Sequence, residues 1–386
     1  MRGIIMLICL VILTGCWDRL EISELGIVTS IAIDRDETTG DYLVTSQYLR
    51  PLAESNFNPP PIPPSTLIST TGKTIEEALR KQNESVDREA FLAHTKVIII
   101  NEKLAKEGVL PLIDTFKRGK EVRGYVWLCI AEETAAKELL DKKANQLARI
   151  TGDYLNRLIE HHDDISGQFT KQHFYKLVLE EGIDPITGVL SLQTSPSDSI
   201  EHIFYSGKAV FKDDVLKGIL KHREQDGYHW VMGISPAKHA AITLPSLIEK
   251  DKSVSIHVET ITSQIKAIVT KQNDISFTIE INEKARLAEQ MAAGEFETQE
   301  EQLNYFAHLE KENERLIEED IHKMLDKVQK TYEADILGFG RVLQQENPHV
   351  WNRVKDDWDA IYPEVPYTVN VNVNIEPKFV ADPAKP

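Results

Sequence analysis

Lys96-Val97-Ile98-Ile99-Ile100, helical spacing at Glu102–Glu107 and Val109–Lys117, then Tyr125-Val126-Trp127-Leu128-Cys129-Ile130 together decide the fold. Each short apolar run reads as a strand, and the helical segments between them have one apolar stripe apiece. Strand, helices, strand in that order predicts a sheet with covering helices. Outward toward the N-terminus, Gly26–Ile33 alternates weakly and is rich in Ile and Val. A polar turn at Asp36–Asp41 and a second run, Tyr42–Leu49, make it a β-hairpin. Asn58-Pro59-Pro60-Pro61-Ile62-Pro63-Pro64 is an exposed, stiff loop, because proline cannot donate to a ladder. Thr74 caps a helix over Ile75–Ser85, with Glu76 and Glu77 where the helix dipole favours acids.

Outward toward the C-terminus, Glu132–Leu140, Gln146–Glu160 and Lys171–Glu181 have helical spacing, and the last two are expected as a helical subdomain within 146–190. Ser, Thr, Pro and Asp cluster without periodicity over Ser191–Ser199, which places a linker at 191–200. Beyond it the pattern is antiparallel. Phe204–Phe211 and Val215–Leu220 flank the turn Lys212-Asp213-Asp214, and Ser253–Glu259, Ser263–Thr270 and Ser276–Asn282 follow as short strands. Thr298–Tyr332 is a long helix whose stripe runs from Leu303 through Phe306, Leu309, Ile317 and Ile321 to Val328. A sheet packing on that stripe buries it; a coiled-coil partner is the alternative. Asn347–Asp359 is a shorter helix and Tyr367–Ile375 a last alternating strand. The expected class is α+β and multi-domain: an N-terminal mixed α/β domain over 16–190 with a helical insertion, a C-terminal antiparallel sheet packed on a long helix over 201–378, and a loose tail at 379–386.

The chain of 386 residues, 41% of them hydrophobic, is long enough for more than one core. Its net charge of −17 repels phosphate backbones and anionic headgroups, which argues against nucleic acid as a partner and against electrostatic membrane binding. Ile4–Leu13 behind Arg2 has the charge and length of a secretory leader. Ten helical residues cover about 15 Å, half of a hydrocarbon core about 30 Å thick, so the segment is not a span. Leu13-Thr14-Gly15-Cys16 looks like a bacterial lipobox, with residues 1–15 removed after Gly15 and Cys16 carrying S-diacylglycerol and N-acyl chains. Such an anchor holds stably through many buried methylenes and makes the protein extracytoplasmic. Of the remaining cysteines, Cys9 leaves with the leader and Cys129 reads as a buried thiol, so no disulfide framework is expected.

Chemistry is sparse. His161-His162-Asp163-Asp164 collects metal-ligand types, yet adjacent histidines on a helix point about 100° apart, and no metal is expected. Gly338-Phe339-Gly340 follows a helix, not a strand, so it reads as a helix-terminating turn and not as a phosphate cradle. Asp213-Asp214 is a hairpin turn before it is a catalytic dyad. Tyr228, His229 and Trp230, after Gly227, set an imidazole between two aromatics and are candidates for lining a small-molecule pocket, with packing at a surface corner as the competing reading. Nothing argues for an enzyme or a cofactor.

Gly15-Cys16-Trp17-Asp18, Glu21-Ile22 and Ile31-Ala32-Ile33-Asp34 resemble the N-terminus of the Ger(x)C family, the C subunits of bacterial spore nutrient-germinant receptors. Thr95–Ile100 with Leu104-Ala105 and Gly108, Pro111–Asp114 and Glu121–Gly124 are similar to the family's first domain. Gly207–Lys212, Leu216–Gly218, Asp335-Ile336-Leu337-Gly338-Phe339-Gly340 and Trp351 are similar to its C-terminal domain. The resemblance runs from Cys16 almost to Ile375. It implies a multi-domain α+β lipoprotein without catalytic activity. It also implies a place in the spore inner membrane, on its outer face, and assembly with an A subunit and a transporter-like B subunit in response to nutrients, which act on this chain either directly or through those subunits. The alternative is a solute-binding lipoprotein that captures the nutrient itself, for which two similar lobes and hence an internal repeat would be expected; none is visible.

Overall fold

The computed structural model describes residues 21–50, 63–119, 122–142, 148–162, 167–194, 199–234, 241–246, 248–249, 251–292, 296 and 298–376. Gly15, Cys16, most of the proline-rich loop, Asp163-Asp164 and the tail lie outside the described residues.

Nine strands form the first sheet: β1 (Leu25–Arg35), β2 (Tyr42–Leu49), β3 (Ser65–Gly72), β4 (Glu89–Phe91), β5 (Val97–Asn101), β6 (Trp127–Ala131), β7 (Ile186–Thr194), β8 (Glu201–Lys212) and β9 (Val215–Leu220). Their order is β3-β2-β1-β5-β6-β7-β8-β9, with β4 beside the start of β1. The centre, β1, β5, β6 and β7, is parallel, and the flanks are antiparallel hairpins. Parallel strands need both faces covered, and alternate residues of β5 and β6 do enter separate cores. Val97, Ile99, Cys129 and Ala131 face one side, Ile98, Ile100, Leu128 and Ile130 the other. This two-sided burial is why the runs are uninterrupted in sequence. The helices Ile75–Gln82 and Leu110–Arg118 cover one face through Leu79, Leu112 and Phe116. The first is capped as expected, Thr74 Oγ1 accepting from Glu77 N at 3.1 Å.

Two stretches beside this sheet differ from their local sequence pattern. The helices Thr151–His162 and Lys171–Val178 are not a subdomain: Leu155 and Ile159 join Val97, Ile99 and Cys129 in the sheet's own core, and Gly152 N donates to Gln47 Oε1 at 2.8 Å. They form the crossover that parallel pairing of β6 with β7 requires, and Ile186–Leu190 belongs to β7. At the expected boundary, Ser191–Thr194 continue β7 and pair with β8, ending at Thr194↔Glu201, so the first sheet spans both sides of it. Turn-forming composition marks a hairpin loop as readily as a domain boundary, and only the strand pairing separates the two.

The second sheet contains β10 (Ala241–Pro245), β11 (Ser253–Val269), β12 (Ile275–Gln290) and β13 (Tyr367–Glu376), in that order. The first three are antiparallel, while β13, arriving after several helices, joins β12 in parallel. The two strands expected over 253–270 are a single strand with an irregularity between Val258 and Thr260. Val254, Ile256 and Val258 are buried before it and Ile261 after it, so the extra residue shifts the inward phase and makes one strand read as two.

The long helix, Gln299–Asp326, is capped by Thr298 and packs on this sheet through Phe306, Leu309, Ile317 and Ile321, although Leu303 stays 57% exposed. It also seals the outer edge of β13: Glu314 Oε1 accepts from Val373 N at 3.1 Å and Glu310 Oε1 from Ile375 N at 2.8 Å. An edge whose N–H groups are taken is closed to further strands.

Candidate functional site

The two sheets meet at a seam built from four short segments: Gly182–Asp184 entering β7, the Lys212-Asp213 end of β8, Asp335–Gly340, and Trp351–Asp359. The long helix delivers the third through a π-helical turn, Lys327–Thr331, which widens the last turn and redirects its side chains. Gln329 Nε2 donates to Tyr362 O at 3.0 Å, and Lys327 Nζ reaches Glu224 Oε2 at 2.7 Å. Tyr332 lies across β9, its hydroxyl accepting from Ile219 N at 3.1 Å. Gly218 makes room for that ring, since a Cβ there would stand 2.3 Å from the Tyr332 hydroxyl.

Asp335 is the centre of the seam. Buried at 1% exposure, its carboxylate accepts from Phe339 N at 2.9 Å, Gly340 N at 2.8 Å and Trp358 Nε1 at 3.1 Å. Burial pushes it up to about 7, the three donors pull it down, and the neighbouring charge of Asp184 adds to the rise. Asp184 is reciprocally tied: its N donates to Asp335 O at 2.9 Å, and its Oδ2 accepts from Asp335 N at 2.7 Å. Its carboxylate also takes Asp213 N at 3.0 Å and Lys212 Nζ at 3.1 Å. Burial raises the Asp184 pKa, opposed by the Lys212 charge and by its backbone donors. Lys212 in turn pairs with Asp359. The backbones touch directly: Arg341 N donates to Gly182 O at 2.9 Å, and a Cβ on Gly182 (φ +73°) would come within 2.6 Å of Gly340 C.

Gly338-Phe339-Gly340 therefore does not end a helix, as expected, but begins one: Gly338 (φ +73°, ψ +40°) precedes Phe339–Glu346. The left-handed conformation there is what aims the next two N–H groups at Asp335. A cleft of about 260 Å³ opens beside the seam between Leu179, Glu181, Trp351, Lys355 and Asp359. Lys355 of its wall pairs with Glu181 at 3.1 Å, and Glu180 of its wall with Arg341 at 3.5 Å. The arrangement fastens two parts of a chain. Among the described residues no three His, Cys, Asp or Glu side chains converge as metal ligands.

Tyr228, His229 and Trp230 lie on a helix, Arg223–Val231, that packs along the long helix, and all three are buried. Gly227 permits the close crossing, because a Cβ there would meet Asp320 O at 2.4 Å. Tyr228 and Trp230 belong to the continuous core, and the Tyr228 hydroxyl contacts Gln168 Nε2. The seam cleft is lined by other residues. His161 and His162 end their helix, with His162 stacked on Tyr205 at 4.4 Å between ring centres. Cys129 is fully buried. Sequence reasoning missed Asp184, Trp358 and Gly182; for Asp335 a signal existed, an acid embedded in Ala334-Asp335-Ile336-Leu337 ahead of two glycines.

Residues 18–192 match the profile of the spore germination protein N-terminal domain, and residues 206–377 that of the spore germination B3/GerAC-like C-terminal domain. The chain belongs to the Ger(x)C family. Spore germination protein KC of Bacillus subtilis (strain 168) is 28% identical over 394 residues, covering 97% of this chain and 94% of its own length. Spore germination protein B3 of the same organism is 25% identical, with 96% of each chain covered. The crystal structure of the GerBC protein shares the fold at a TM-score of 0.55 and 20% identity, over 89% of this chain and 96% of that one. Each half of the seam falls within a different Ger(x)C profile: Asp184 in the first, Asp335 and Trp358 in the second. The border between the profiles cuts the first sheet at β7 and β8, so the seam and the shared sheet both join what the profiles divide.

Proposed function

We propose that this chain is the lipid-anchored C subunit of a nutrient germinant receptor, acting in receptor assembly and signalling with membrane-bound A and B subunits. The observation that carries the reading is the end-to-end match to spore germination proteins, 97% of this chain against 94% of the KC protein. The geometry supports it: two sheets fastened by buried hydrogen bonds make a firm body for docking. The lipid on Cys16 confines that body to the outer face of the spore inner membrane, which raises its effective concentration for membrane partners without any new protein contact.

Dipicolinate release from spores lacking the gene, challenged with single nutrients, tests this. Loss of response to particular nutrients, restored by the wild-type chain and poorly by Cys16→Ala, is the expected result. Full restoration by the unlipidated form removes the anchoring part of the proposal, and an unchanged response to every nutrient removes the receptor role. Calorimetry of the protein with the same nutrients separates this reading from direct nutrient capture.

A further inference from the structure

Glu283 stands in the middle of β12, between Ile261 of β11 and Val373 of β13, and turns inward beneath the long helix at 1% exposure. Asn313 of that helix is fully buried above it and donates through Nδ2 to Glu283 Oε1 at 3.0 Å. The other two atoms of the pair, Glu283 Oε2 and Asn313 Oδ1, are buried and have no hydrogen-bond partner among the described residues. Both are acceptors if Glu283 is ionised, and buried acceptors without a donor are costly. One proton on Oε2 turns one of them into a donor for the other. Acid and carboxamide then close a ring of two hydrogen bonds.

The charged neighbours favour that proton. On the long helix they are Glu310 and Glu314, whose carboxylates take the N–H groups of Ile375 and Val373 on the strand next to Glu283. On β12 the ionic side chains Glu280 and Arg286 pair with Lys266 and Glu259 of β11, and Lys284 is exposed. On β13 the inward residues around Val373 are apolar, and Glu376 lies at the strand end. The helix Arg223–Val231, which touches both β12 and the long helix, brings Arg223, Asp226 and His229, and Arg223 is taken by Asp320. Among the described residues no cation pairs with Glu283.

We propose that Glu283 is a proton-binding site of the folded protein: as a neutral acid it closes a two-bond pair with Asn313 that fastens the long helix to the second sheet, and deprotonation loosens that fastening. On deprotonation the Oε2–H bond breaks, the proton leaves to water, and a carboxylate is left facing the Asn313 carbonyl. Burial, opposed only in part by the Asn313 hydrogen bond, raises the pKa from 4.5 to about 7. The fastening is complete below the unfolded value and is lost as pH rises through the folded one.

Two measurements on the full chain test it. Infrared difference spectra between about pH 6 and about pH 8, where exposed carboxylates are already ionised, should show a protonated-carboxyl band that shifts on ¹³C-glutamate labelling and is absent in Glu283→Gln. The amide of Glu283→Gln reproduces the neutral acid's donor, so its Tm should gain on wild type by about 1–2 °C as pH rises over that range. A spectrum without a labelled acid band overturns the proposal, as does a Tm difference that stays flat with pH. If Glu283→Gln does not fold, the labelled wild-type spectrum decides alone.

Discussion

Asp335 and Glu283 are both buried carboxyl groups in the C-terminal half, yet their surroundings are opposites. Asp335 accepts from three donors at the seam between the sheets, with the Asp184 charge nearby. Glu283 faces one donor and one acceptor, beneath the long helix. Burial raises both pKa values to about 7, so burial alone does not distinguish them. What differs is which neutral side chain each site would accept. An amide suits a site that holds both kinds of partner and is misplaced where three donors converge, since its NH₂ then meets N–H groups.

The seam should be the more fragile of the two. Gly182→Ala, which adds a Cβ 2.6 Å from Gly340 C at φ +73°, is expected to cost about 3 kcal/mol in strain and overpacking. Chemical denaturation measures it, and a cost under half of that would mean the seam yields easily. Asp335→Asn should follow at about 2 kcal/mol, the range for a lost charge-assisted hydrogen bond. Tyr332→Phe removes one hydroxyl from the β9 edge and is expected to cost about 1 kcal/mol by the same assay. The smallest effect belongs to Glu283→Gln, within about 1 kcal/mol of wild type near pH 5. Equal losses for Asp335→Asn and Glu283→Gln at one pH would break the contrast between the sites. A raised acid contributes fully below its unfolded pKa and loses that contribution as pH rises through the folded value, so wild-type Tm should fall between about pH 5 and about pH 8.

Most strands and helices were legible because their signals are local. The Thr74 and Thr298 caps act within four residues, and the hairpin β1–β2 follows from two apolar runs around a polar turn. The long helix is legible from its stripe, but its π-helical turn is not, since nothing in Lys327–Thr331 marks a widened turn until Gln329 and Tyr332 find their partners. The seam was almost invisible. Asp184 and Asp335 are separated by 151 positions, and neither sits in a spacing that announces chemistry. Alternation from Phe277, Ile279 and Ile281 puts Glu283 on the inward face of its strand, but only the tertiary structure supplies the partner, Asn313 of the long helix, that lets an acid sit there.

By itself the sequence determined the α+β class, the existence of both sheets and the long helix. It did so because periodicity and caps are properties of neighbouring residues. Only the tertiary structure decided that the helices Thr151–His162 and Lys171–Val178 belong to a crossover leading to the central strand Ile186–Thr194, and that β13 runs parallel to β12. It alone made Gly338 the start of a helix and brought Asp184 to Asp335 and Glu283 to Asn313. Those outcomes depend on which distant groups share a dry interior. There the need to satisfy each buried donor and acceptor, which no short window of sequence records, selects among arrangements that local propensity leaves equal.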